Sequence, residues 1–241
     1  AREDWQKDYA RFGALQKIVR HLPAIRLIPV PTSIPRHHYD YVIVSSANAV
    51  RFLECSPSLL IKTQKAKAIY TFGKSTAALL TTLGFEVVRP DDIRSAQELG
   101  TFLKSELPKG ARLLIPTSEE PAYDLHPDLT AAGFEVDVVA LYRTISALTF
   151  PDGGSVDAKE AEKLVDQLTG VVCFASPSAV SGFCTALAPK NNRLFEALRA
   201  VAIGSTTAKA CKNQFREIHV ATNSNVSSLI TKAGELLPTR V

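Results

Sequence analysis

The sequence predicts an α/β protein of two parallel-sheet domains built from one duplicated unit. Three observations predict it. Short apolar runs alternate with helical periodicity along nearly the whole chain, the βαβα rhythm of a parallel sheet. That rhythm breaks twice, near residues 35 and 150. A set of short motifs recurs about 130 positions further on.

An opening helix is expected over Asp4–Leu22, then a strand at Ile25–Val30. The passage Pro31-Thr-Ser-Ile-Pro35 interrupts, because proline has no N–H to give a ladder. Five strands are expected next, at Tyr41–Ser45, Ala68–Phe72, Glu86–Arg89, Arg112–Pro116 and Val136–Tyr142, with helical patterns between them. The second interruption, Ser146–Val156, carries Pro151 and the Gly153-Gly154 pair. Strands at Val171–Ala175, Ala200–Ile203 and Glu217–Ala221 alternate with helices to a last helix at Val226–Leu237. Each strand is almost continuously apolar, as expected when helices cover both faces of a sheet. The breaks place residues 37–143 as one domain inserted into another made of 1–35 plus 147–241.

With 46% hydrophobic and 22% charged residues, the 241-residue chain is neither disordered nor a coiled coil. No apolar run reaches the ~18 residues of a membrane span, and Ala1-Arg2-Glu3-Asp4-Trp5 opens no signal-peptide core. A soluble, cytoplasmic monomer is expected, without membrane or nucleic-acid partners. The net charge of +4 suits an anionic ligand, but no basic run interleaved with aromatics marks nucleic-acid binding. Cys55, Cys173, Cys184 and Cys211 form no C-x-x-C pair, which argues against a disulfide framework or a thiolate metal site. His37-His38 reads as exposed linker. The absence of Met suggests a processed, truncated or incompletely represented chain.

The repeat carries the functional information. Ser45-Ser46-Ala47-Asn48-Ala49-Val50 is echoed by Ala175-Ser176-Pro177-Ser178-Ala179-Val180. Phe72-Gly73-Lys74-Ser75-Thr76-Ala77 is echoed by Ile203-Gly204-Ser205-Thr206-Thr207-Ala208, and Ser95-Ala96-Gln97-Glu98-Leu99 by Ser224-Asn225-Val226-Ser227-Ser228-Leu229. Each motif falls where a strand ends and a helix begins, the edge at which open α/β sheets bind ligands. Helix starts offer unpaired N–H donors and the positive end of a dipole, which suit carboxylates or phosphates. Taken singly, Ser46, Ser75, Ser176, Ser178 and Ser205 read first as helix N-caps. Taken together, the Gly-x-x-Thr-Ala spacing found twice favours a ligand role. Gly73 and Gly204 are expected to allow a tight turn or close approach. No dinucleotide, P-loop or nucleophile-elbow motif is present, and Lys74 lacks the glycine spacing of a phosphate loop. The pair Asp91-Asp92 reads as a solvated or capping turn.

These motifs, in this order, resemble the uroporphyrinogen-III synthase family. The likeness extends through Leu129-Thr-Ala-Ala-Gly133-Phe-Glu-Val136-Asp-Val-Val-Ala-Leu141-Tyr142-Arg143-Thr144, which is similar to the family's segment ending in Tyr-Arg-Thr. The resemblance implies two flavodoxin-like domains joined by a two-stranded linker, with the active site between them. It implies the substrate hydroxymethylbilane, a linear tetrapyrrole with eight carboxylates, whose terminal hydroxyl leaves as water while the last ring inverts and the macrocycle closes. It implies no metal and no organic cofactor. Tyr142 matches the tyrosine implicated in protonating the leaving group; a buried structural tyrosine is the alternative. The implied substrate contacts are Ser45, Ser46, Ala47, Gly73, Lys74, Ser75, Thr76, Thr117, Ser118, Ser176, Ser178, Ala179, Gly204, Ser205, Thr206 and Thr207. Arg143 could meet a carboxylate or make a salt bridge in the linker.

Two departures stand out. The turn Pro116-Thr117-Ser118-Glu119-Glu120-Pro121-Ala122-Tyr123-Asp124 lacks the Gly and Arg common in relatives and adds two acids. The chain also begins where the family's first strand should already have ended, which would leave Ile25–Val30 without a neighbour. Two other function classes compete with the enzyme. A two-lobed binding module without turnover is motivated by the altered turn. A flavodoxin-like FMN carrier would purify yellow, but few aromatics stand at these turns to sandwich a flavin.

Overall fold

A computed structural model describes residues 22–147, 160, 163, 170–187, 195, 197–212 and 214–237. Of the expected opening helix only Leu22 falls among them, and the interruption after Ala147 falls outside them. The chain divides into two compact units, Leu27–Thr144 and the remainder, Ala1–Arg26 with Ile145–Val241. The division thus falls within strands, at Arg26/Leu27 and Thr144/Ile145, and the proline-rich 31–35 passage lies inside the first of these units.

Six strands form one sheet: β1 (Ile25–Pro29), β2 (Tyr41–Ile43), β3 (Ala68–Tyr70), β4 (Val87–Val88), β5 (Arg112–Ser118) and β6 (Glu135–Ser146). Their spatial order is β1-β6-β5-β2-β3-β4. The pairs β2–β3, β2–β5, β3–β4 and β5–β6 are parallel. Helices α1 (Ala47–Glu54), α2 (Pro57–Gln64), α3 (Lys74–Thr82), α4 (Ala96–Glu106) and α5 (His126–Ala131) connect them. Strand alternation sorts the core into two layers. Val42, Val44 and Leu114 pack with Ala49, Val50 and Leu53 of α1, Leu59 of α2 and Leu80 of α3. Ile43, Leu113 and Ile115 pack with Leu99 and Leu103 of α4 and Leu129 of α5. Each fully buried leucine is worth about 1.5–3 kcal/mol.

The chain steps from β2 to β3 to β4 with its helices on one face. It then returns to the far side of β2 for β5 and β6 with its helices on the other face. Right-handed crossovers require that change of face when the direction of winding reverses. The reversal lies between β2 and β5, the kind of position at which open α/β sheets bind ligands.

The neighbour that β1 needs is β6. Val30 N–H donates to Leu141 O at 3.1 Å and Ala147 N–H to Ala24 O at 3.1 Å. As β1 rises its partner falls, so the pairing is antiparallel. This explains why β6 runs to Ser146, past the expected end at Tyr142: its outer half pairs with β1. The Thr32 hydroxyl fastens the end of β1 by donating to Ala140 O at 2.5 Å.

In the other unit, β7 (Val171–Phe174), β8 (Arg199–Ala202) and β9 (Glu217–Val220) form a parallel sheet in that order. Helices α6 (Pro177–Leu187), α7 (Ser205–Cys211) and α8 (Val226–Glu235) follow the strands in turn. One face packs Phe174, Phe183, Phe195 and Phe215, with ring centroids 5.4–6.1 Å apart. The other face packs Val201, Ala221 and Leu229. The strand–helix succession and neighbour order repeat those of β2–α1, β3–α3 and β4–α4, so the sequence repeat is also a repeat of topology. Gly182 is required by close approach: a Cβ there would stand 1.9 Å from Ala24 O. Helix α6 therefore lies directly against the backbone that leads into β1.

Candidate active site

Ser46 leaves β2 in extended conformation, φ −142° and ψ 146°, and its Oγ accepts the Ala49 N–H at 3.0 Å. It is a helix N-cap with one acceptor lone pair already committed. Its second partner is the Tyr142 phenol, 3.2 Å away, where either oxygen can donate. The Tyr142 ring is 6% exposed and stacks on Phe52 of α1, centroids 4.8 Å apart and planes inclined by 15°. Such offset stacking adds about 0.5–1.5 kcal/mol beyond area burial.

A bulge aims the tyrosine. Leu113 through Thr117 pair one-for-one with Val136 through Ala140, and then Ser118 pairs with Tyr142, leaving Leu141 as an extra residue on β6. Strict alternation would send Leu141 and Tyr142 to opposite faces. The extra residue cancels that, and both enter the layer containing α1. Backbone anchoring adds to it, since Glu119 N–H donates to Tyr142 O at 2.8 Å. Thus Ser45, Ser46 and Ala47 after β2, Ser118 at the end of β5 and Tyr142 on β6 gather where the winding reverses. Thr117, 6% exposed, takes the opposite face of β5 by alternation and does not join them.

The glycine turn after β3 differs from the sequence reading. Gly73, rather than Ser75, is the N-cap of α3, and it provides no side-chain acceptor. Ser75 and Lys74 are exposed in the first turn, whereas Thr76 is 2% exposed. A Cβ on Gly73 would stand 2.9 Å from Thr76 Oγ1, so the Gly-x-x-Thr spacing lets the threonine hydroxyl fold back onto the turn. Nearby, the Oγ1 of Thr71 is buried and has no hydrogen-bond partner among the described residues.

The second unit repeats the serine cap. Ser176 Oγ accepts the Ala179 N–H at 3.1 Å and meets Ser178 Oγ at 3.0 Å. Its glycine turn again has the glycine as N-cap: Gly204 opens α7, not Ser205, and brings no side-chain cap. Ser205 and Thr206 are exposed and Thr207 is 3% exposed. A Cβ on Gly204 would lie 3.1 Å from Ser224 Oγ, so here the close neighbour belongs to the turn before α8. Both capping serines were legible as caps. Phe52, Thr71 and the bulge were not. Phe52 carries no signal beyond its place in a helical pattern, although the unexpected length of β6 could have hinted at an irregularity.

The altered turn is locally ordered by its own acids. Asp124 Oδ1 accepts the His126 N–H at 3.0 Å, and the Tyr123 hydroxyl donates to Asp128. Glu119 and Glu120 are exposed. Among the described residues, no three His, Cys, Asp or Glu side chains cluster as metal ligands, and no helix is long and apolar enough to cross a membrane.

Comparison with known proteins agrees on one family. Residues 8–231 match the family described as "Uroporphyrinogen-III synthase HemD". A curated relative, "Porphyrin biosynthesis protein HemD" of Ruminiclostridium josui, is 25% identical over 224 residues, covering 89% of this chain. The chain spans only 43% of that relative's length. Two crystal structures share the fold. One is uroporphyrinogen-III synthetase from Helicobacter pylori, with TM-score 0.68, 19% identity and coverage of 89% of this chain and 91% of that one. The other is a mutant uroporphyrinogen III synthase from the extreme thermophile Thermus thermophilus, with TM-score 0.57, 17% identity and coverage of 95% of each chain.

Proposed function

The chain belongs to the uroporphyrinogen-III synthase family, and from that membership we propose that it cyclises hydroxymethylbilane to uroporphyrinogen III in porphyrin biosynthesis, with inversion of ring D and loss of water. The observation that carries this reading is the Tyr142 phenol, held by Ser46 at the end of the sheet where the winding reverses.

The reaction needs one proton at the leaving hydroxyl and a way to bring two distant ends of a flexible chain together. Ser46 Oγ accepts the Ala49 N–H and keeps its own proton to offer Tyr142; with the bond in that direction, the phenol proton is free for the leaving oxygen. The C–O bond breaks as water departs, pyrrole electron density filling the vacated carbon, which bonds to the already substituted α-carbon of ring D. The older bond from that α-carbon to its bridging methylene then breaks. The methylene bonds to ring D's free α-carbon, which loses its proton, so the ring closes inverted. The proton released by that closure replaces the one given up. The sequence is redox-neutral and consumes no co-reactant. Most of the acceleration comes from holding the ends in reacting geometry.

The substrate's carboxylates would be met by helix-start N–H groups and hydroxyls. Ser45, Ala47, Gly73, Lys74, Ser75 and Ser118 would serve in one unit, with Ser178, Ala179, Gly204, Ser205 and Thr206 in the other. The burial of Thr76 and Thr207 favours a role in shaping those turns over direct contact, and Thr117, buried within β5, would support the strand end. The capping bonds of Ser176 give it the same supporting role.

The finer fold reading has two flavodoxin-like domains with a two-stranded linker, working as a cytoplasmic monomer. Support comes from the strand order: taken cyclically from β5 through β6, β2 and β3 to β4, the parallel strands follow the flavodoxin order 2-1-3-4-5. The antiparallel β1–β6 ribbon supports the linker.

Tyr142→Phe tests the assignment. Turnover is expected to fall by 10²-fold or more, the scale of a lost general acid, with the melting temperature retained. Wild-type turnover in that variant removes Tyr142 from the mechanism. The exposed Glu119 and Glu120 beside Tyr142 favour, as a second reading, a binding relative without turnover. Such a protein would bind hydroxymethylbilane and leave its spontaneous closure to isomer I unchanged.

A further inference from the structure

We infer that Phe52 is a positioning residue for Tyr142 and that its flat ring, rather than its apolar bulk, sets the turnover rate. The inference rests on the synthase reading above. Ser46 fixes only the oxygen of the phenol, at 3.2 Å. With the oxygen held, the ring can still turn about its own axis, and because the hydroxyl proton lies near the ring plane that motion changes where it points. Phe52 removes that freedom by lying nearly parallel to the ring, with 4.8 Å between centroids and 15° between planes.

The placement follows from the helix. Side chains on a helix lean toward its N-terminus, and the N-terminus of α1 stands at the end of β2 beside the site. Phe52 is three residues beyond Ala49 and adjacent to Leu53, both fully buried. It therefore sits at the margin of the buried stripe, partly buried, with its ring against that of Tyr142. The serine that caps α1 and the phenylalanine six positions later thus hold the tyrosine by its oxygen and by its face. Both belong to one rigid helix, so the phenol is referenced to a single element. No bond is made or broken by Phe52, and its effect passes entirely through Tyr142.

Two single variants and one double variant test this with the full chain and hydroxymethylbilane. Phe52→Leu keeps apolar volume and loses the plane; kcat is expected to fall on the order of tenfold to a hundredfold, as for small misplacements of a catalytic group, with KM within about twofold. Phe52→Tyr restores a plane and is expected to recover most of kcat. Phe52→Leu added to Tyr142→Phe is expected to lower kcat no further, because the phenol it positions is already gone. A Phe52→Leu enzyme with wild-type kcat, or one whose loss persists undiminished in the Tyr142→Phe background, overturns the inference while leaving the synthase reading intact. A loss that tracks a lowered melting temperature and is not recovered by Phe52→Tyr likewise overturns it. A wild-type chain that forms no isomer III overturns both.

Discussion

A hydroxyl that caps a helix has already given up one lone pair, and this restriction makes Ser46 informative. With Ala49 N–H on its oxygen, Ser46 has one lone pair and one proton left for Tyr142, and the direction of that hydrogen bond decides what the phenol can do next. Thr71 is the opposite case: its hydroxyl is buried at the end of β3 with no partner among the described residues. An unpaired buried hydroxyl carries its desolvation cost without return. Thr71→Val keeps the shape, so the variant is expected to be more stable by about 1 kcal/mol, measured as a higher urea midpoint at unchanged slope. A destabilised variant would show that the hydroxyl has a partner in solution. At this scale sequence reading was partly blind. Ser46 and Ser176 could be read as caps from their position alone, but Ser75 and Ser205 could not be told from Gly73 and Gly204. The spacing of a glycine turn does not reveal which residue closes the helix. Nor could composition separate the exposed Ser205 and Thr206 from the buried Thr207, since all three are hydroxyls in one run.

Among the elements, β2, β5 and β6 carry the architecture of the site. Continuous apolar runs announced them, and their parallel pairing follows from the helices between them. The bulge that turns Tyr142 into the layer of α1 left no trace in hydrophobic patterning, because Leu141 and Tyr142 are both apolar enough to suit either face. The partner of β1 was equally hidden, since antiparallel pairing with the far end of β6 depends on two segments more than a hundred positions apart. Near the other end of the same strands, the Tyr39 hydroxyl donates to Asp137 Oδ2 at 2.6 Å, joining the chain ahead of β2 to β6. Burial first, then the hydrogen bond to Asp137, raises the Tyr39 pKa above its ordinary 10.0. Burial also raises Tyr70, with a smaller push from Glu106. A folded-state pKa above the unfolded one means the folded protein holds its proton more tightly. The stabilisation is complete below about pH 10 and is lost as pH climbs from there through the folded pKa. Wild-type stability is expected to decline steeply above pH 10, and Tyr39→Phe to flatten that decline. Denaturant unfolding at pH 9, 10 and 11 checks it; parallel slopes would exclude Tyr39 as the cause.

For the whole molecule, duplication is the organising fact. Two copies of a strand–helix succession present the same serine cap and the same Gly-x-x-Thr-Ala turn, and each copy was legible because motif order survives where residue identity does not. The family resemblance rested on that order, and the match over residues 8–231 bears it out. The departures from the family pattern read differently with the structure. The acidic turn after β5 is tied to the Tyr142 backbone by the Glu119 N–H, a bond that does not depend on the side chain there.

The most direct measurement is the isomer composition of product after the purified chain is given hydroxymethylbilane, followed by oxidation and chromatographic separation of the resulting porphyrins. A chain that positions the tetrapyrrole and protonates its leaving group yields isomer III as the dominant product, in excess of the spontaneous reaction. Isomer I alone, at the rate seen without protein, would contradict the account.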